Sequence, residues 1–193
     1  HGTSMTCQIN PATGREEVFG PHTLELAPAA KHWVVIGGGP GGMKAAEGLA
    51  KRGHRVTLLE KGAELGGQVN HIVRLPRRDS FAWITEDLKV HMAKAGVKVR
   101  LNCEASVEMI KELQPDGVIV ATGSLPDRSG YSDINPLVDR VPGLDGEHVF
   151  TALDVLARPE KVGKRVLVLD EEGNRYSAGI TELLVENGHQ VHV

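Results

Sequence analysis

Cysteine is scarce in this 193-residue chain, which contains only Cys7 and Cys103. Two thiols cannot form the disulfide framework of a small secreted scaffold, and no CxxC pair is present for dithiol redox chemistry. The nine histidines are scattered along the chain, without the HxxxH or HExxH spacing that puts two ligands on one helix face. The sequence therefore excludes a disulfide scaffold and predicts no metal site that these residues enclose by themselves.

Aromatic residues and positive charge are also in short supply. Aromatic residues make up 4% of the chain and the formal net charge is -3. Few rings are available to stack on bases, and the charge would not attract a phosphate backbone or an anionic membrane. No apolar run approaches 18 residues and no signal-peptide pattern is present. We therefore expect a cytoplasmic protein with no nucleic-acid or membrane partner.

Glycine, by contrast, is abundant, with 23 residues, many of them in two clusters between periodic segments. From Lys31 onward, short apolar runs typical of buried strands alternate with helical patterns. This alternation predicts an α/β fold: a Rossmann-like FAD/NAD(P)-binding parallel sheet with helices on both faces, plus the start of a second Rossmann-like unit. The predicted regions are an extended arm over 1–30, an adenine-dinucleotide domain over 31–163, and a degenerate nucleotide-binding unit beginning at 164–193.

The predicted strands and helices of the main domain follow in regular order. Strands are expected at "WVVIG", "HRVTLLE", "VKVRL" and "GVIVATG", and a further strand at "HVFT". Helices are expected after the first strand, over about Phe81 to Ala95, and over about Ser106 to Leu113. The carboxyl ends of parallel strands form the ligand-binding edge of such a sheet. We therefore expect a binding site where the strands end.

One glycine-rich turn directly follows the first predicted strand. Gly37, Gly39 and Gly42 fit the pattern G-x-G-x-x-G and open a helix. Such glycines allow a tight turn, a close approach to a pyrophosphate, and close packing of helix on strand. Glu60 ends the second strand, where a carboxylate can bind ribose hydroxyls but would repel a 2′-phosphate. The turn thus predicts that ADP, FAD or NAD binds here rather than NADP. The alternative is that the glycines are needed only for packing and that no nucleotide binds.

Two further turns follow predicted strands of the same sheet. "GAELGGQ" places Gly66 and Gly67 beside Gln68, and "VIVATGS" ends its strand in Ala121, Thr122 and Gly123. Both turns are expected at the carboxyl edge of the sheet, so both can reach one ligand.

The stretches "CQINPATGRE", "VVIGGGPGGMKAAEGLAKRGHRVTLLEKGAELGGQV", "VIVATG" and "KRVLVLDEEGNRYSAGITELLVENGHQV" carry a family resemblance over nearly the whole chain. The chain resembles the flavoproteins that include trimethylamine dehydrogenase, histamine dehydrogenase and 2,4-dienoyl-CoA reductase, and its start resembles N-methylproline demethylase. The resemblance implies a longer parent in which an FMN-containing barrel and a 4Fe-4S cluster precede this region. It also implies that Cys7 is the last of four cluster thiolates in that parent, whereas one cysteine alone cannot hold the cluster.

The resemblance implies FAD as ligand in the reductases and ADP in the amine dehydrogenases. It places Arg78 and the backbone near Ala105 beside the same ligand, and it implies no catalytic residue in this chain. Together with the turns, it gives the candidate cofactor-binding residues Gly37, Gly38, Gly39, Pro40, Gly41, Gly42, Glu60, Lys61, Gly67, Gln68, Arg78, Ala105, Thr122 and Gly123.

A second strand, turn, helix and strand close the chain from Val166 to Val193, but the turn is acidic. Asp170 stands where the first glycine would be, Glu171 and Glu172 follow, and Ser177 replaces the third glycine. A charge pair at about 4 Å is worth roughly 4 kcal/mol at an effective dielectric near 20, whereas a helix N-terminus contributes only about 0.3–1 kcal/mol. Repulsion should dominate, and we predict that the phosphate site of this unit is lost.

The sequence therefore predicts an adenine-nucleotide-binding part of an iron–sulfur flavoprotein oxidoreductase of the amine dehydrogenase or demethylase type. Its partners would be ADP or an adenine dinucleotide, the barrel domain outside these residues, and an electron-transfer protein. One alternative is part of an NAD(P)H-dependent, FAD-containing enoate or dienoyl-CoA reductase. The other is a nucleotide-binding module without a catalytic role.

Overall fold

The computed structural model describes residues 6, 7, 9–131, 137, 140–170, 173 and 175–193, with the side chain of residue 175 left out. The chain divides into two compact units. The first unit comprises His1–Asn70 and Phe81–Gly123, and the second comprises His71–Ser80 and Ser124–Val193. These units group residues by proximity, so the domain limits predicted at residues 30 and 163 stay a prediction.

The first unit is built on a four-stranded parallel sheet. Its strands are β1 (His32–Ile36), β2 (Arg55–Leu59), β3 (Lys98–Arg100) and β4 (Gly117–Val120). Their order in the sheet is β3-β2-β1-β4, and each neighbouring pair is parallel. The order places the carboxyl ends of all four strands on one edge. The predicted α/β class with a parallel sheet is confirmed.

Helices precede and connect these strands. They are α1 (Glu16–Phe19), α2 (Pro40–Lys51), α3 (Val69–Ile72), α4 (Ala82–Lys94) and α5 (Val107–Leu113), with short 3-10 turns at Pro21–Thr23 and Asp79–Phe81. Ser106 caps α5 by accepting the Met109 N–H, as its residue type favours. The region predicted as an extended arm thus contains two short helical turns.

The core of the first unit lies between the sheet and two helices. Fully buried residues of the strands, such as Val35 and Leu58, pack against Met43 and Ala46 of α2. Leu88 and Met92 of α4 complete the same cluster. The face of α2 that contains Met43 and Ala46 therefore packs on the sheet, and this packing fixes where the turn before α2 lies.

The second unit contains a two-stranded parallel sheet. Its elements are α6 (Ala152–Ala157), a 3-10 turn at Pro159–Lys161, β5 (Arg165–Leu167), α7 (Arg175–Glu186) and β6 (Gln190–His192). Leu156, Ile180 and Leu184 form its buried core with Leu75 and Val155. The predicted strand, helix and strand at the end of the chain are confirmed.

The strand predicted at "HVFT" is wrong. Val149 donates its N–H to the Gly146 carbonyl in a turn, and Thr151 begins α6 as its N-cap. Thr151 and Asp154 exchange the two hydrogen bonds of a capping box, which satisfies two N–H groups at the start of α6 and favours a helix there.

Among the described residues, no helix is both long and apolar enough to span a membrane.

Candidate functional site

The turn between β1 and α2 needs glycine at two positions for steric reasons. Gly37 has a φ of 108°, and a Cβ there would lie 2.2 Å from the Ala121 carbonyl oxygen. A Cβ on Gly42 would lie 2.0 Å from the Gly37 carbonyl oxygen. Both distances are far below van der Waals contact. The tight turn and the close helix–strand packing expected from these glycines are therefore present in the fold.

The other side of the same turn is open. A Cβ on Gly39 or Gly41 would meet no heavy atom within 4 Å. Gly39 is the N-cap of the 12-residue helix α2, Pro40 follows at its first turn, and no side chain caps this helix end. An N-terminus without a side-chain cap presents N–H groups and positive dipole charge. The geometry suits an anion at Gly39–Gly42, as at other helix N-termini.

Glu60 faces this turn from the end of β2. Its Oε2 accepts the Gly38 N–H at 2.6 Å, and its Oε1 accepts the Gly62 N–H at 2.6 Å. Hydrogen bonds to an ionised carboxylate are among the stronger ones in proteins. Each oxygen has a second lone pair that can accept another donor. The carboxylate is therefore held in place and can still accept hydroxyl groups of a ligand.

The glycine pair that follows β2 lies directly against the first turn. The Gly66 N–H donates to the Gly38 carbonyl at 2.9 Å. Gly67 has a φ of 54°, and a Cβ there would lie 3.1 Å from the Gly39 Cα. Gln68 follows this pair directly and is half-buried, whereas Lys61 is exposed next to Glu60. The structure thus brings together the two loops that the sequence singled out.

The loops after β3 and β4 reach the same edge of the sheet. A Cβ on Gly37 would lie 3.2 Å from the Thr122 Cα, and Gly123 adopts a φ of 78° with open space beside it. The Cys103 N–H donates to the Glu60 carbonyl at 2.9 Å, and Ala105 lies two residues farther along that loop. The predicted cofactor-binding residues of the first unit therefore lie at the carboxyl edge of its sheet, either in loops or in the first turn of α2.

Arg78 belongs to the second unit. Its Nη1 donates to the Arg77 carbonyl at 3.3 Å, and its side chain lines a groove of about 690 Å³ together with Asp170, Ser177 and Thr181. Its contact with a cofactor stays a prediction.

Cys7 is exposed and accepts the Asn10 N–H at 3.4 Å. The backbone N–H groups of Asn10, and to a smaller extent of Ile9, lower the pKa of this thiol. These donors favour the thiolate, which is the form that binds iron. In the part of the chain that the structure describes, no group of three or more His, Cys, Asp or Glu side chains could hold a metal ion. The role of Cys7 as one ligand of an iron–sulfur cluster stays a prediction.

Cys103 has a different setting. Its Sγ lies 3.6 Å from the Met109 Sδ in a half-buried contact. This contact indicates that Cys103 packs against the start of α5.

In the turn of the second unit, hydrogen-bond donors of the chain itself bind an acidic side chain. The Asp170 carboxylate accepts the Gly173 N–H at 2.9 Å through Oδ1 and the Ser177 hydroxyl at 2.6 Å through Oδ2. A protein carboxylate thus lies beside the start of α7, where a phosphate would sit in a working site. Glu171 and Glu172, the other acids of this turn, lie outside the described residues.

Sequence reasoning missed Asn70. Its Nδ2 donates to the Leu65 carbonyl at 3.2 Å, so it holds the loop that contains Gly66 and Gly67. The glycine pair signalled a special backbone conformation, but no sequence pattern indicated which side chain occupies the space beside it.

Comparison with known proteins relates the chain to redox enzymes. A family model described as an NAD(P)-binding Rossmann-like domain matches residues 35–98. The NADH oxidase of Thermoanaerobacter brockii is 37% identical over 191 residues, which cover 98% of this chain and 28% of that protein. The N,N-dimethylglycine/sarcosine dehydrogenase of Chromohalobacter salexigens is 35% identical over 195 residues, covering all of this chain and 27% of that protein.

A solved structure gives the same result. The 6-hydroxypseudooxynicotine amine oxidase of Pseudomonas geniculata N1 superposes with a TM-score of 0.83 at 30% identity, over 96% of this chain and 28% of that one. The chain therefore spans only about a quarter of the length of the proteins to which it is similar.

Proposed function

This chain belongs to the flavoprotein oxidoreductases related to amine dehydrogenases and to enoate or CoA-ester reductases, and from this premise we propose that its first unit binds ADP, either free or as part of FAD. The observation that carries the proposal is the 2.6 Å hydrogen bond between the Gly38 N–H and the Glu60 carboxylate. This bond joins Glu60, which would bind the ribose, to the phosphate turn, which comprises Gly37–Gly42.

The residues at this edge match the parts of an adenosine diphosphate group. The N–H groups of Gly41 and Gly42, at the uncapped start of α2, would bind the pyrophosphate. Glu60 would accept the ribose hydroxyls, and its charge would repel a 2′-phosphate.

Further loops at the same edge would border the ligand. Lys61 and the backbone near Ala105 would line the adenosine, while Gly67, Gln68, Thr122 and Gly123 would border the diphosphate. A bound FAD would supply reversible two-electron chemistry through its flavin, whereas ADP would supply none.

For the longer parent we propose an amine dehydrogenase or demethylase that also contains FMN and a 4Fe-4S cluster, with Cys7 as one cluster ligand. The N–H donors to the Cys7 sulfur support this role. The similarity to a dimethylglycine/sarcosine dehydrogenase supports the reaction class. The Asp170 carboxylate at the start of α7 supports electron transfer to a carrier protein rather than hydride uptake from NAD(P)H. The barrel domain and the cytoplasmic location remain part of this proposal.

A second candidate is an NAD(P)H-dependent reductase parent with FAD in this region. The observation in its favour is the similarity to a protein named NADH oxidase, at 37% identity over 98% of this chain. The two candidates differ in the nucleotide that the parent carries. Heat-denatured parent protein should release FMN and ADP under the first proposal. Release of FMN and FAD would favour the reductase.

Nucleotide selectivity tests the role of Glu60 itself. We expect the chain to bind ADP at least about tenfold more tightly than 2′-phospho-ADP, since the carboxylate repels the extra phosphate. In Glu60→Gln, the amide keeps one acceptor oxygen but loses the charge, so the ratio should fall toward one. Calorimetric titration of both ligands measures it. A wild-type protein that binds both equally would contradict the assignment of Glu60 to the ribose.

A further inference from the structure

We propose that Asn70 is a positioning residue of the nucleotide site, which holds the loop Gly62–Gly67 against the phosphate turn without touching the nucleotide. This inference rests on the proposed binding of ADP. It concerns the affinity for the diphosphate part of the ligand, because the loop contacts Gly38 and Gly39.

The first contact joins Asn70 to the loop. Its Nδ2 donates to the Leu65 carbonyl at 3.2 Å. The adjacent Gly66 is buried, with a φ of 131°, and a Cβ there would lie 2.0 Å from the Asn70 Oδ1. Only glycine therefore leaves room for the carboxamide beside residue 66, and any other residue would also be strained at that φ. Asn70 and Gly66 form one interlocking pair.

The second set of contacts joins the loop to the turn. The Gly66 N–H donates to the Gly38 carbonyl at 2.9 Å. The Leu65 Cδ2 lies 2.5 Å from the position that a Cβ on Gly38 would take, so the leucine packs directly on this glycine. The backbone of Gly67 approaches Gly39 in the same way, with 3.1 Å between its Cβ position and the Gly39 Cα.

Residue 38 is consequently held from two sides. Glu60 accepts its N–H, and Gly66 donates to its carbonyl oxygen. The glycines of the turn have no side chains of their own to hold them, so these two hydrogen bonds fix the backbone that leads into α2. N–H groups that are already oriented before the pyrophosphate binds increase the affinity, because no conformational entropy is lost in ordering them on binding. Asn70 supplies this orientation through Leu65 and Gly66.

Asn70→Ala should therefore weaken ADP binding about tenfold, while adenosine, which lacks phosphates, should bind within about twofold of wild type. Asn70→Asp keeps the volume but cannot donate to the Leu65 carbonyl, so it should lose ADP affinity to at least the same extent, and it serves if the alanine variant does not fold. Asn187→Ala, at an exposed position in the second unit, is the matched control. Calorimetry gives the ADP affinities, saturation-transfer NMR gives adenosine binding at millimolar concentration, and thermal melting gives the stability of each variant.

The outcomes separate the two levels of the proposal. A wild-type protein that does not bind ADP overturns the nucleotide site and with it the role of Asn70. A wild-type protein that binds ADP, together with Asn70 variants of equal ADP affinity, overturns the role of Asn70 alone. Equal loss for ADP and adenosine, or a loss explained by a lowered melting temperature, would show a general structural role instead. If adenosine binding is too weak to detect in wild type and variants alike, the ADP affinities decide. Weaker ADP binding by the Asn70 variants at an unchanged melting temperature supports the proposal, and unchanged ADP affinity overturns it.

Discussion

The Cβ position of Gly42 lies 2.0 Å from the Gly37 carbonyl oxygen, so the first helical turn of α2 touches the end of β1 with no atom between them. The contact places the start of α2 at the carboxyl edge of the sheet, beside Glu60. Gly41, one residue earlier in the same helix, has no heavy atom within 4 Å of its Cβ position. The two neighbouring glycines therefore have different physical roles.

We expect Gly42→Ala to destabilise the protein by about 1–3 kcal/mol, the usual range for overpacking a close contact. Gly41→Ala should be neutral or stabilising by up to about 1 kcal/mol, because alanine is the better helix former. Urea unfolding followed by circular dichroism measures both changes. Equal stability of the two variants would mean that α2 does not pack on β1 as closely as the structure has it.

Glu47 is an acid with 1% side-chain exposure on α2, paired with Lys44 at 2.8 Å and Lys51 at 2.5 Å. Burial raises the pKa of Glu47, but the hydrogen bonds from both lysines lower it more, so its pKa lies below the ordinary value. Glu47→Gln should cost about 1–2 kcal/mol of unfolding free energy, because hydrogen bonds between charged groups are lost at a buried site.

The matched control is Glu86→Gln on α4, whose side chain is 57% exposed and pairs with Lys89. Exposed pairs contribute about 0–1 kcal/mol, so this change should have little effect. A Glu47→Gln variant as stable as Glu86→Gln would refute the buried pair as a stabilising feature.

His32 should make stability fall in mild acid. It is buried, its Nε2 lies 3.1 Å from the Thr57 hydroxyl, and burial, followed by the charge of Arg55, lowers its pKa below the ordinary 6.5. Below pH 6.5 the unfolded chain takes up a proton that the folded chain resists, so stability declines until the pH reaches the folded pKa. The slope contributed by one group is at most about 1.4 kcal/mol per pH unit.

The measurement compares unfolding free energies of wild type and His32→Gln between pH 7.5 and 5. The other histidines contribute to both proteins alike, so the difference isolates His32. Wild type should lose more stability on acidification than the variant. Parallel curves would show that His32 is not held neutral by the fold.

We expect that the second unit does not bind NADH or NADPH as hydride donors. In the parent protein with its FMN bound, we expect neither NADH nor NADPH at micromolar concentration to bleach the flavin absorbance, because the Asp170 carboxylate occupies the turn where phosphates would bind. Dithionite should bleach it, which controls for a flavin that cannot be reduced. Bleaching by NADPH would favour the reductase instead.

Local patterns predicted most of the fold of the first unit. The apolar runs of β1 and β2 and the helical pattern between them follow the periodicity of the sequence, and the structure agrees with these predictions. The strand predicted at "HVFT" was wrong because strand propensity does not take account of the ability of Thr151 to cap a helix. With Asp154 three residues later, it forms a capping box and begins a helix.

The contacts of the site were less predictable than its residues. Glycine spacing indicated the turn, but not that Glu60 accepts two backbone N–H groups or that Asn70 fills the space beside Gly66. The contact between Glu60 and Gly38 joins two different loops, and the contacts with Gly62 and Leu65 depend on how the backbone after β2 turns, which glycine spacing does not determine. Arg78 was chosen by resemblance alone, and its place in the second unit depends on the same tertiary packing.

Titration of ADP into the purified chain tests the central claim most directly. Wild type should bind ADP saturably. Gly39→Asp should weaken binding at least about tenfold, or 1.4 kcal/mol, because it puts a carboxylate in the open space beside the pyrophosphate. Gly48→Asp adds the same charge at another open position of α2, away from its N-terminus, and should bind within about threefold of wild type. If Gly39→Asp binds ADP as tightly as wild type does, or if wild type shows no saturable binding, the glycine turn is not a nucleotide site.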